Sequence, residues 1–148
     1  EEQKKIYDLV LKAQEAGINA CKKGNNFRDP HNAAVEVIKK GLMELNIIQN
    51  ANDFQEYFFH GTSHYLGLDV HDAGTYGKLK VNSVITVEPG IYIAEGSPCD
   101  KKWWNIGVRI EDDILITDTE PINLSGNLPK KTDEIEKVMK EEGILKKN

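Results

Sequence analysis

The sequence predicts an α+β domain with a largely antiparallel sheet. Three observations lead there. Apolar residues recur at helical spacing through the first 45 positions. Short β-branched runs, punctuated by Gly, Pro and Asn, follow from Val84 to Thr117. One more helical pattern closes the chain, so helices and strands are segregated rather than alternating.

Ile6, Leu9, Val10, Ala13, Gly17 and Ala20 form the stripe of a first helix, with Glu, Lys and Gln between them. Gly24 and Asn25-Asn26 are expected to end it as a C-cap cluster. Phe27-Arg28-Asp29-Pro30 reads as a turn, with Asp29 as N-cap and Pro30 at the first position of a second helix. That helix carries Ala34, Val37, Ile38, Gly41, Leu42 and Leu45. Asn52 or Asp53 is expected to start one short helical turn. Val84-Ile85-Thr86-Val87-Glu88 reads as a strand ended by Pro89-Gly90, and Ile91-Tyr92-Ile93 as another. Glu95 to Asn105 reads as a polar loop. Ile106 to Thr117 reads as a long strand pattern, with a hairpin bending at Asp112-Asp113 as the alternative. Pro121 to Lys131 reads as loop, and Thr132 starts a last helix with Ile135, Val138 and Met139.

The 148 residues suffice for one domain with its own core. Hydrophobic residues at 39% and charged residues at 29% exclude a disordered or fibrous chain. No apolar run reaches the roughly 18 to 20 residues of a membrane span, so no membrane partner is expected. A net charge of −5 with scattered Lys and Arg argues against nucleic acid. Cys21 and Cys99 lie far apart without a CxxC, which reads as free thiols in a reducing compartment. The chain opens Glu1-Glu2-Gln3-Lys4-Lys5, straight into a helix, and is expected to be part of a longer protein.

Two carboxylates stand out because they sit in or beside β runs. Glu88 ends Val84–Val87, and Glu111 lies within Val108-Arg109-Ile110-Glu111. A buried ionised carboxylate has to be paired or bound to a cation. Arg109 and Glu111, two apart, project from one face. On the strands alone, an ordinary ion pair on a solvated face accounts for them. The histidine block changes that balance. His60, His64 and His71 are interleaved with Gly61, Gly67 and Gly74. Imidazole with carboxylates suits a first-row divalent metal such as Mn²⁺, Co²⁺ or Zn²⁺. The spacing is not the His-Glu-x-x-His of a zincin helix. From the residues alone, the pattern points to a hydrolytic metal site.

The run His60-Gly61-Thr62-Ser63-His64-Tyr65-Leu66-Gly67-Leu68-Asp69-Val70-His71-Asp72 resembles the signature of the Xaa-Pro aminopeptidase (aminopeptidase P) and prolidase group of pita-bread metallopeptidases. Val84-Ile85-Thr86-Val87-Glu88-Pro89-Gly90-Ile91-Tyr92 and Gly107-Val108-Arg109-Ile110-Glu111-Asp112-Asp113 resemble its two later motifs, in order. Asn123-Leu124-Ser125 and Glu134-Ile135-Glu136 are similar to its C-terminal end. The resemblance spans essentially the whole chain. It implies that residues 1–148 are the C-terminal half of a pita-bread catalytic domain, lacking the N-terminal domain and the first half.

The resemblance implies two metal ions held by two Asp, one His and two Glu. His64, Glu88 and Glu111 would be the ligands present here, with Glu111 bridging. Glu88 would also shuttle a proton, His60 and His71 would line the substrate pocket and assist catalysis, and Arg109 would hold a carboxylate ligand in place. The two Asp ligands would precede Glu1. The fragment alone is therefore expected to be inactive and to hold at most one weakly bound ion. The parent is expected to use Mn²⁺, with Co²⁺ or Zn²⁺ as alternatives. It would cleave peptides with proline at the second position, reside in the cytoplasm and form a homo-oligomer. Thr62-Ser63, Tyr65 and Val70-His71-Asp72 lean to the aminopeptidase over prolidase. A methionine aminopeptidase does not match Arg109–Asp113, and a pita-bread binding module without catalysis is the alternative of a different class.

Overall fold

The computed structural model describes residues 1–141. Two helices, α1 (Glu2–Asn19) and α2 (Asp29–Glu44), come first, followed by a 3₁₀ turn at Ala51–Glu56. The strands are β1 (Val84–Val87), β2 (Gly90–Ile93), β3 (Ile106–Arg109), β4 (Asp112–Leu115) and β5 (Ile122–Asn123), with a 3₁₀ turn at Lys101–Trp103 before β3. A short α3 (Thr132–Val138) is the last element among the described residues. This is the predicted α+β class, and every strand pairing is antiparallel. No described helix is long and apolar enough to cross a membrane.

The apolar stripes of both helices face inward. Ile6, Val10 and Ala13 of α1 and Ala34, Ile38 and Leu42 of α2 are fully buried, packed with Ile91, Ile93 and Trp103. Each large aliphatic buried this way is worth roughly 1.5–3 kcal/mol. α1 and α2 approach closely at Gly41, where any side chain would collide with Leu9. α1 presses on β1 in the same manner, since a Cβ at Gly17 would meet Val87 at 2.9 Å. A second cluster, with Cys21, Leu79, Ile85, Val87, Ile114 and Ile116, lies under the β1–β4 pair.

Local ends differ from the sequence reading. α1 stops at Asn19, with Ala20 at its C-cap in ordinary helical geometry. Gly24 takes its positive φ of 84° further on, where its N–H bonds the Leu79 carbonyl. Asp29 is the first residue of α2, and its carboxylate accepts from the Asn26 N–H at 2.7 Å instead of capping the helix. Asn50, not Asn52 or Asp53, caps the 3₁₀ turn.

The main correction concerns Ile106–Thr117. It does not fold into a hairpin, and Asp112-Asp113 open β4 rather than forming a bend. The segment runs antiparallel to 84–93 along its length. Val87 pairs with Asp112 on one side and Gly90 with Arg109 on the other. The register is the same on both sides, so 88–89 lie opposite 110–111. Pro89 has no N–H to donate, which interrupts the pairing and splits one ribbon into two sheets. The segment read as loop from Pro121 to Lys131 contains β5, paired to β4.

Candidate metal centre

The interrupted ribbon places Glu88 directly across from Glu111. Opposed positions in an antiparallel pair hold their side chains close, and like charges there are destabilising. The histidine segment supplies the third group. It runs along the free edge of β1: the Thr86 N–H bonds the His64 carbonyl at 3.0 Å, and the Glu88 N–H bonds the Thr62 carbonyl at 2.8 Å. His64 therefore lies beside Thr86, and its ring reaches Glu88.

His64 Nε2 is 3.1 Å from Glu88 Oε1, with both side chains largely shielded. One donor atom each from His64, Glu88 and Glu111 lies within 4.8 Å of the other two. His64 Nδ1 is 3.0 Å from the Tyr65 carbonyl, which can only accept, so Nδ1 carries a proton. In the neutral ring, Nε2 then presents a lone pair to the Glu88 carboxylate. Partial burial and the Glu88 carboxylate, with Asp113 adding to them, push the Glu111 carboxyl above its ordinary range, against the pull of His64 and Arg109. Three electron-pair donors aimed at one another are relieved by a proton on Nε2 or by a cation among them. A His with two carboxylates is a donor set that first-row divalent ions accept, so the residues fit a metal.

The other expected residues fall around this point. Arg109 Nε is 3.9 Å from Glu88 Oε2, on the side away from His64. His71 packs its ring edge against His64, with centroids 4.3 Å apart. His60 is one step removed. Its Nδ1 bonds the Gly61 carbonyl at 2.7 Å, and its Nε2 is 2.9 Å from the Tyr92 hydroxyl. It also packs against Phe58 and Phe59. The structure thus brings His64, Glu88 and Glu111 together, with His71 and Arg109 beside them and His60 at the rim.

Four residues that the sequence does not single out also shape the site. Tyr92 fixes His60. His31, on α2, bonds the buried Thr62 hydroxyl at 2.8 Å, and that residue's carbonyl receives the Glu88 N–H. Burial, aided by Arg28 and His60, holds the His31 imidazole below its ordinary pKa. Thr86 is wholly buried, and its hydroxyl touches both His64 and Glu88. Asp112, next to Glu111, is buried against Ser125, Asn123 and Lys130. Only the Thr86 contact has a local signal, because Thr86 and Glu88 are two apart and share a face.

The profile of metallopeptidase family M24 matches residues 1–118, most of the chain. The chain belongs to metallopeptidase family M24. A Xaa-Pro aminopeptidase of Haemophilus influenzae is 38% identical over 149 residues, covering 93% of this M24 chain and 35% of the relative. The solved aminopeptidase PepP of Pseudomonas aeruginosa superposes with a TM-score of 0.89 at 38% identity, covering 93% of this chain and 34% of that one. Aminopeptidase P of E. coli, solved with the inhibitor Pro-Leu, superposes with a TM-score of 0.88 at 38% identity, with coverages of 93% and 34%. The α+β architecture is therefore the pita-bread fold of these M24 enzymes. The chain spans about a third of the length of the relatives it matches.

Proposed function

We propose that this chain is the C-terminal part of the catalytic domain of an M24 aminopeptidase that hydrolyses the bond between an N-terminal residue and proline. The observation that carries the reading is the Glu88–Glu111 opposition with His64 beside it, in a chain whose relatives are named Xaa-Pro aminopeptidases. In this proposal two divalent ions, Mn²⁺ before Co²⁺ or Zn²⁺, bind there when the whole protein is assembled, and two Asp from outside this sequence complete the ligand set. Such ions supply an activated water near neutral pH and polarise the scissile carbonyl.

The chain's own residues then have distinct tasks. His64 offers Nε2, because its Nδ1–H is held by Tyr65. Glu111 and Glu88 would hold the ions together with His64, and Glu88 would also be the group placed to pass a proton to the leaving proline nitrogen. Arg109 holds Glu88 from the Oε2 side. His60 has both ring nitrogens engaged within the protein, so it serves as a fixed wall of the pocket. His71 makes no side-chain hydrogen bond among the described residues and is the histidine free to donate to the substrate carbonyl. Residues 1–148 alone would be inactive and would hold at most one ion weakly. A cytoplasmic location and a homo-oligomeric parent complete the proposal.

The test is cleavage by the full-length protein with Mn²⁺, on longer Xaa-Pro peptides and on Xaa-Pro dipeptides. Cleavage of the longer peptides supports the proposal. Cleavage of dipeptides alone would make it a prolidase, and metal binding without cleavage would make it a binding module.

A further inference from the structure

Thr86 is fully buried in the middle of β1, between Ile85 and Val87. Its hydroxyl oxygen is 3.0 Å from the His64 backbone nitrogen and 3.2 Å from Glu88 Oε1. The direction of both bonds is dictated by chemistry. An N–H only donates and a carboxylate only accepts, so the hydroxyl accepts from His64 and gives its single proton to Glu88. Thr86 itself is fully buried, so its hydroxyl has no solvent contact of its own. The terminal torsion of a glutamate is broad, so an unsupported Glu88 carboxylate would rotate freely. The χ1 of a β-branched threonine is stiff, so the hydroxyl presents its proton in one place.

We propose that Thr86 is a positioning residue for the metal centre, holding Glu88 Oε1 and the His64 main chain in one fixed relation before any ion arrives. The inference rests on the reading of His64, Glu88 and Glu111 as ligands. It adds that, beside the Arg109 contact to Oε2 and the Tyr65 contact to His64 Nδ1, their preorganisation draws on a hydroxyl outside the ligand set. Groups that orient ligands in this way typically change metal affinity by about 10- to 100-fold when removed. Thr86→Val keeps the shape and the β-branch while removing only the hydroxyl. Thr86→Ser keeps the hydroxyl.

The experiment measures Mn²⁺ affinity of the metal-stripped full-length protein by calorimetry, for wild type, T86V, T86A and T86S. Thermal melts of the metal-free forms accompany it. T86V and T86A are expected to bind about 10- to 100-fold more weakly, with T86S close to wild type. In turnover of Xaa-Pro peptides, kcat should fall in T86V with KM little changed. T86A serves in place of T86V if the latter does not fold. Wild-type affinity in a folded variant lacking the hydroxyl would overturn the inference alone, as would T86S binding no better than T86V. A wild-type protein that takes up no metal would overturn the ligand reading and this inference with it.

Discussion

Lys130→Met should destabilise this domain more than its position on a surface segment suggests. The Lys130 ammonium is 2.8 Å from Asp112 Oδ1, and the lysine side chain is 20% exposed against 1% for Asp112. Ser125 and Asn123 donate to the same carboxylate at 2.7 and 2.9 Å. Removing the lysine leaves a buried charge with two neutral donors and no cation. Breaking a buried pair from one side costs about 3–5 kcal/mol. Ser125 and Asn123 offset part of this, so about 3 kcal/mol is expected. Asp112→Asn on its own should cost less, about 2 kcal/mol, because Lys130, already partly exposed, can turn its ammonium to water. The double variant, with no buried charge left, should be more stable than Lys130→Met alone, giving a coupling of more than about 2 kcal/mol. Chemical denaturation of the four proteins measures all three quantities. A cost below about 1 kcal/mol for Lys130→Met, or strictly additive effects, would refute the reasoning.

Glu111→Gln should have opposite effects with and without metal. It relieves the opposition to Glu88 and should raise the stability of the metal-free protein by roughly 0.2–1 kcal/mol, while abolishing most metal uptake; paired melts with and without Mn²⁺ read both. Burial pushes the Cys21 thiol up to about 12. Cys21 should therefore resist alkylation at pH 8 in the native protein and react once it unfolds, which peptide mapping after labelling detects. Burial first, then Arg28 and His60, hold His31 below its ordinary value of 6.5. The unfolded chain then takes up that proton first, so stability should decline as pH falls from 6.5 through the folded value. His31→Gln should flatten that part of the stability curve measured by denaturant titration.

Much of the fold is legible because its signals are local. Ile6, Val10, Ala13 and Ile38, Leu42 mark the buried faces of two helices at helical spacing, and Val84–Val87 is a β run by composition. The ribbon is not legible at Asp112-Asp113. Adjacent aspartates look like a turn, and the donors that make Asp112 acceptable inside a strand come from positions 123, 125 and 130. The candidate site divides in the same way. His64, Glu88 and Glu111 are visible as carboxylates beside β runs and a histidine among glycines. His31 and Tyr92 are not, because each acts through a partner about thirty positions away. Thr86 hides in plain composition, since threonine in a strand needs no further reason.

The central claim is that the opposition of Glu88 to Glu111, with His64 beside them, exists to hold divalent metal. Elemental analysis of the full-length protein after dialysis tests it most directly, comparing wild type with His64→Ala, Glu88→Gln and His71→Ala. The account predicts two bound ions in wild type, loss of most metal in His64→Ala and Glu88→Gln, and nearly full occupancy in His71→Ala. Full metal content in Glu88→Gln, or an empty site in His71→Ala, would contradict it.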